Sequence, residues 1–353
     1  MKPFDNKFIT DYLELTKHRE PNFENFLKVL KKEKPDRFTL FEFFLNGELY
    51  AKLADDFNPP KNALENNILL MKAFKNAGYD YCTLSASGFH YRTNANNHGK
   101  SSRSMNESSI HDRESFSEYV WNEPEDFDTG ALVGMKNYLP DGMKALVCGP
   151  GGILENVVWI IGYEPLCYMI ADDPDLVEEI FENVGTRMLR YYASVVDLDH
   201  VGAIISNDDW GFNTQTMLSV DDMRKYVFKW HKKITDLVHK AGKQVFLHSC
   251  GNAKEVYDDI IDDMKYDGKH SYEDIIQPVE EAYEMLNPRI AVMGGIDLDF
   301  VCRKTPEEVY NRSCAMLERS RERGGFALGS GNSIPNYVPY DNYIAMIAAA
   351  TMN

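Results

Sequence analysis

Short apolar runs alternate along the whole chain with longer stretches whose apolar residues recur every three or four positions. The first pattern belongs to buried strands and the second to helices with one buried face. Strand-like runs fall at 37–44, 79–85, 144–152, 202–210, 244–252, 289–297 and 326–332, with a shorter one just before His270. Helical spacing is clearest after Ser219, an N-cap residue type, where Met223, Val227, Trp230, Ile234 and Leu237 are four, three, four and three positions apart. Asp173-Pro174 starts another helix, with proline in its first turn. Thr305-Pro306 opens one more, and a last helix closes the chain. A helix over 61–77 stops at Gly78, a residue suited to the left-handed turn that ends a helix. The stretches to about 171 and over 253–265 also read as helical, and residues 1–34 as a charged helical extension with Phe23, Phe26, Leu27 and Leu30 at helical spacing.

Strands alternating with helices, without a linker, predict parallel strands joined by crossover helices in one domain spanning 1–353. Eight such units, with no glycine fingerprint after the first strand, predict an α/β fold of the closed (β/α)8 or TIM-barrel kind rather than an open doubly wound sheet. Active sites of such barrels lie at the C-terminal ends of the strands. Those ends carry Glu42, Asp208-Asp209-Trp210, His248 and Cys250, His270 and Glu273, Asp297, and Ser330 with Asn332.

His248 and Cys250 make the most informative pair. Residues two apart on a strand share a side, so an imidazole and a sulfur converge there as half of a zinc site. A His-x-Cys pair alone arises often by chance; the surrounding ring of ligand-type residues is what promotes it. Asp208 and Asp209 are candidate proton donors or loop and helix caps, and Glu42 is a catalytic carboxylate or a scaffold group. His270 either reaches the site or bonds within its loop, and Asp297 either contacts substrate or caps the next helix. Trp210, Ser330 and Asn332 are candidate substrate contacts. The segment 87–113 is locally basic, with His90, Arg92, His98, Lys100, Arg103, His111 and Arg113 against Glu107 and Asp112. It reads as a lid over an anionic ligand, or as an ordinary loop.

Composition narrows the classes. A formal charge of −17 argues against a general nucleic-acid or membrane-surface binder. The six cysteines show no Cys-x-x-Cys pairing, and no apolar run nears the ~18 residues of a membrane helix. The expectation is a cytoplasmic protein with reduced thiols.

His248-Ser-Cys250-Gly-Asn, Asp208-Asp-Trp-Gly211, Gly294-Gly-Ile-Asp297, Thr305-Pro-Glu-Glu-Val309 and the Ile334-Pro…Val-Pro339…Asn342 tail together resemble the uroporphyrinogen decarboxylase superfamily over roughly 140–353. The resemblance implies a single (β/α)8 barrel and two branches of chemistry. The decarboxylases hold their substrate's carboxylates with an arginine-rich motif after strand one. This chain has Phe44-Leu-Asn-Gly-Glu-Leu-Tyr50 there, without arginine. Their catalytic aspartate after strand two is replaced by Ser85-Ala-Ser87, and their strand-eight histidine by Ser330. The methyltransferase branch binds zinc through a His-x-Cys pair on strand five, as in His248 and Cys250. Its thiol methyltransferases add a cysteine where Ser330 stands, so the third ligand falls to Asp209, Glu273, His270, Glu164 or Glu42. The motif Lys269-His-Ser-Tyr-Glu-Asp274 brings His270 or Glu273 towards that site.

The reading these features imply is a zinc-dependent methyltransferase-like enzyme. It would exchange methyl groups between a small substrate and a corrinoid (a cobalamin-type cofactor) carried on a small partner protein, and homodimers are common in the superfamily. The alternatives are a decarboxylase or lyase of a small or tetrapyrrole carboxylic acid, and a non-catalytic corrinoid or small-molecule binding protein. Losing a soft thiolate for harder oxygen ligands tilts the metal towards Lewis-acid work on oxygen or nitrogen.

Overall fold

Seven of the eight expected strands form, all parallel and adjacent in chain order: β1 Tyr81–Ser85, β2 Lys144–Cys148, β3 Val201–Asn207, β4 Gln244–His248, β5 Gly268–His270, β6 Ala291–Met293 and β7 Phe326–Ala327. The computed structural model describes residues 1–93 and 108–353; His98, Lys100, Arg103 and Glu107 of the expected lid lie outside the described residues. The strands are buried along nearly their whole length. Continuous apolar runs of this kind suit a parallel sheet covered on both faces.

The first expected strand, 37–44, does not form a ladder. It makes single parallel pairings at Leu40 with Leu328 and, just beyond it, at Leu45 with Ile334. Phe41 N donates to Leu328 O at 2.7 Å, and Leu328 N donates to Thr39 O at 2.8 Å. On its other side a side chain stands in for a neighbouring backbone. The Tyr81 hydroxyl accepts from Glu42 N at 2.7 Å and donates to Glu42 O at 2.8 Å. Buried peptide groups must find partners, and here the tyrosine satisfies what a ladder to β1 otherwise would. The structure thus shows an α/β fold on a seven-stranded parallel sheet, and no ladder among the described residues closes the eight-stranded barrel.

The helices follow their sequence signals closely. Ala63–Asn76 is capped by Asn62, Pro174–Ala193 by Asp173 and Pro306–Ser320 by a Thr305–Glu308 capping box. After Ser219 the chain is helical over 220–240, with a wider turn at Met223–Phe228. Met223, Val227, Trp230 and Ile234 are buried as the spacing predicts. Two further helical stretches form where expected, with added detail. The stretch after β2 is a pair of helices, Ile153–Ile161 and Tyr163–Asp172, bent by 92° at Gly162, whose φ of 92° turns the chain. Residues 254–263 are likewise continuously helical, tight at Lys254–Val256 and wide at Asp259–Asp263, as the expectation for 253–265 has it. No single described helix is long and apolar enough to cross a membrane.

The register places the site. Asn207 lies beside His248, and His248 beside His270, across β3, β4 and β5. Neighbours in register present their side chains on the same face of a parallel sheet.

Candidate metal centre

Asp209, His248 and Cys250 bring one ligand atom each to within 4.8 Å of one another. His248 Nε2 and Cys250 Sγ are 3.7 Å apart. Tetrahedral zinc with ordinary Zn–N and Zn–S bonds separates such atoms by about 3.5 Å, so the pair is spaced for one ion. Asp209 Oδ1 accepts from Cys250 N at 2.9 Å, which ties the β3 tip to the β4 tip. Gly251 lets the two tips approach: its φ is +84°, and a Cβ there would lie 2.0 Å from Gly211 O. The sulfur also faces two donors, Asn332 Nδ2 at 3.3 Å and Ser271 Oγ at 3.8 Å. Burial holds the Cys250 thiol well above its usual pKa, and the Asp209 charge adds to this. A dication would offset both causes by favouring the thiolate. One nitrogen, one sulfur and one carboxylate make three protein ligands, the number a catalytic zinc site takes, where a structural one takes four.

Behind the cluster runs a chain of buried polar groups. His248 Nδ1 lies 2.7 Å from His270 Nδ1, and His270 Nε2 lies 3.0 Å from Ser330 O. Glu42 Oε1 accepts from Ser330 N at 2.7 Å. Ser330 Oγ lies 2.8 Å from both Glu42 Oε2 and Asn332 O. Burial depresses both imidazoles, His248 to about 3 with help from the Lys269 charge. It also raises Glu42 to about 8. Lys269, itself buried and lowered to about 8 by burial, donates to Ser271 O at 2.8 Å.

These contacts sort the expected site residues. His270 and Glu273, expected as metal ligands, lie outside the cluster. The first stands behind His248, and the second lines a cavity of about 570 Å³ together with Asp297, Asn332, Tyr272 and Phe300. Of the five candidates for third ligand, Asp209 is the one that converges. Asp208 points the other way. Its Oδ1 accepts from Glu155 N, and its Oδ2 lies within 3.0 Å of Leu154 N, Trp210 Nε1 and His231 Nε2. Fully buried and bonded on every side, it braces the start of Ile153–Ile161 rather than offering a proton to substrate. Trp210, expected at the substrate, is fully buried against Phe228 and His231. Glu42 and Ser330, expected as a catalytic group and a substrate contact, are fully buried as well and bond to each other. Asp297 caps Leu298–Arg303 through Phe300 N and also accepts from Asp274 N. His90 and Arg92 are exposed, with Arg92 bonded to Asn122. Glu164 is exposed beside a separate cavity of about 720 Å³ that His111 and Arg113 also line.

Sequence reasoning missed Glu155, Phe43 and His231. Glu155 sits at the first turn of Ile153–Ile161, and burial followed by repulsion from Asp209 and Asp208 drives its carboxyl well up. Its signal was its place three residues into the helix after a Gly-rich turn. Phe43 packs on the His248 ring, centroids 4.3 Å apart. His231 joins Asp208 to Tyr266 and Ser206 in a network with no solvent access, so that its Ser–His–Asp set is structural.

Fold and site together define an α/β protein built on a parallel sheet, with a mixed N, S, O cluster at the C-terminal strand tips. The family model for uroporphyrinogen decarboxylase (URO-D) matches residues 141–352, more than half of the chain, and the chain belongs to that family. Among solved structures it is similar to a methyltransferase from Methanosarcina mazei, with a TM-score of 0.68 at 16% identity over 94% of this chain and 98% of the other. That likeness shows a shared fold. A psychrophilic glycoside hydrolase family 10 endo-beta-1,4-xylanase is more distant, with a TM-score of 0.38 at 13% identity over 62% of this chain and 80% of the other. No curated protein matches in sequence.

Proposed function

We propose that this protein is a zinc-dependent methyltransferase of the URO-D superfamily, moving a methyl group between a small substrate and a corrinoid on a partner protein, at the mouth of a closed barrel. The observation that carries the proposal is the convergence of Asp209, His248 and Cys250. The name of the Methanosarcina structure supports it. So does the absence of arginine after Phe44, where a decarboxylase would grip carboxylates.

His248 Nε2, Cys250 Sγ and an Asp209 oxygen would hold the ion. Zinc bound there supplies Lewis acidity to a methoxy, hydroxyl or amine heteroatom, or stabilises a thiolate. This chain's own residues do the rest. Asn332 and Ser271 direct hydrogens at the Cys250 sulfur, which tempers its charge and leaves the site electrophilic. Phe43 walls one face of His248 from water. Asn332, which reaches the Cys250 sulfur, also lines a cavity of about 570 Å³ that none of Asp209, His248 and Cys250 borders. When the methyl group departs, the heteroatom keeps the bonding pair and takes up one proton. Glu155, whose carboxyl is pushed well up by burial and by the neighbouring Asp209 and Asp208 charges, is the acid we assign to supply it.

Purification without chelators followed by elemental analysis tests the reading. Bound zinc is expected in the wild-type chain and not in His248→Ala or Cys250→Ser, and the wild type should exchange methyl groups with free cobalamin. A folded wild-type protein that takes up no zinc, or chelator-resistant CO2 release from a small acid, would falsify the methyltransferase reading; the second result would favour a metal-free lyase.

A further inference from the structure

We infer that His270, backed by Ser330 and Glu42, is the positioning residue that locks His248 in its Nδ1–H tautomer and so presents a bare Nε2 to the metal. The inference rests on the metal reading of the cluster, but its geometry stands without the ion. Counting hydrogens settles each link. Ser330 O is a carbonyl and cannot donate, so the 3.0 Å contact requires hydrogen on His270 Nε2. His270 is fully buried, and its ring packs edge-on to Phe41 at 4.9 Å, with Lys269 next in the chain. An imidazolium in such a place would carry a large desolvation penalty. A neutral His270 with hydrogen on Nε2 has a lone pair on Nδ1. The 2.7 Å contact then requires His248 Nδ1 to be the donor. A neutral His248 that donates from Nδ1 has its lone pair on Nε2, the atom 3.7 Å from Cys250 Sγ.

The far end is pinned in the same way. Ser330 O also accepts from Gly295 N at 2.8 Å, so the carbonyl that orients His270 is itself held. The single hydroxyl hydrogen of Ser330 cannot serve both Glu42 Oε2 and Asn332 O, each 2.8 Å away. A protonated Glu42 that donates to Ser330 Oγ satisfies both contacts at once. Asn332 then returns to the Cys250 sulfur through its amide, which closes a ring of polar contacts around the ligand pair. A metal-bound histidine usually donates its second N–H to a carboxylate or a carbonyl. Here a second histidine takes that hydrogen, and Ser330 is a fixed support for it instead of a ligand.

Long-range 1H–15N correlation spectra of the metal-free protein read the tautomers of its nine histidines, assigned with single His variants. His248 is expected as Nδ1–H and His270 as Nε2–H. Zinc competition with a chromophoric chelator then compares variants. His270→Leu is expected to weaken zinc binding by roughly 10- to 100-fold. His270→Gln, which can accept from His248 and donate to Ser330 O, is expected to restore most of it. The inference is overturned if wild-type His248 carries its hydrogen on Nε2, or if folded His270→Gln binds as weakly as His270→Leu. Failure of the metal reading shows differently, as a wild-type chain that does not compete for zinc although its tautomers are as stated.

Discussion

Two adjacent aspartates at one strand tip do opposite jobs. Asp208 gathers two helix N–H groups, an indole and an imidazole inside the protein, while Asp209 turns to Cys250 and the candidate metal cluster. Asp208 N carries the pairing one residue past β3, to His248 O at 2.9 Å, and neighbours along such a chain face opposite sides, so identical chemistry is divided between support and site. Removing an acceptor that several buried donors share leaves those donors unsatisfied. Asp208→Asn is expected to destabilise the fold by about 2–4 kcal/mol in urea unfolding, with zinc still bound by the folded fraction. Asp209→Asn should keep most stability and lose zinc affinity. Equal effects of both substitutions on zinc, at equal stability, would contradict the division.

At the scale of elements, the polar strand tips were legible and the missing ladder at 37–44 was not. The runs around His248 and Cys250 announced themselves by apolar pattern followed by polar tip, and they form as expected. The run at 37–44 has the same pattern yet forms only a bridge, because its pairing groups are met by a side chain on the next strand. No local periodicity encodes that substitution. Tyr81→Phe leaves Glu42 N and Glu42 O without their partner. A loss of about 2–4 kcal/mol is expected from two buried, unmet backbone groups. Hydrogen exchange should show the loss concentrated over 39–45; a change spread evenly over the sheet would argue against this role for Tyr81.

At the scale of the molecule, the ring behind the cluster couples stability to pH. Burial raises Glu42 from 4.5 to about 8. Between those values the folded chain holds a proton that the unfolded chain has released. The Glu42 contribution is therefore fully present below pH 4.5 and declines as pH rises, levelling off above about 8. At about 1.4 kcal/mol per unit this amounts to a few kcal/mol. Glu42→Gln presents a neutral donor and acceptor to Ser330 throughout. Its stability relative to wild type should therefore grow between pH 5 and pH 8 in urea titrations, whereas an unchanging difference would place an ionised carboxylate at position 42.

The sequence alone determined the alternating parallel architecture, the helix caps, the family likeness and the His248–Cys250 pair. All of these follow from periodicities and spacings within a few residues, where one side chain's environment is set by its near neighbours. The tertiary structure decided which of several carboxylates joins that pair and which histidine stands behind it. It also decided that Ser330, expected at the substrate, bonds to His270 and Glu42 inside the protein. Those choices depend on atoms brought together across the sheet: Asp209 meets Cys250 from 41 residues away, His270 meets Ser330 from 60, and Glu42 meets Ser330 from 288. Register and burial fix such meetings, and neither is written in any one stretch of the chain.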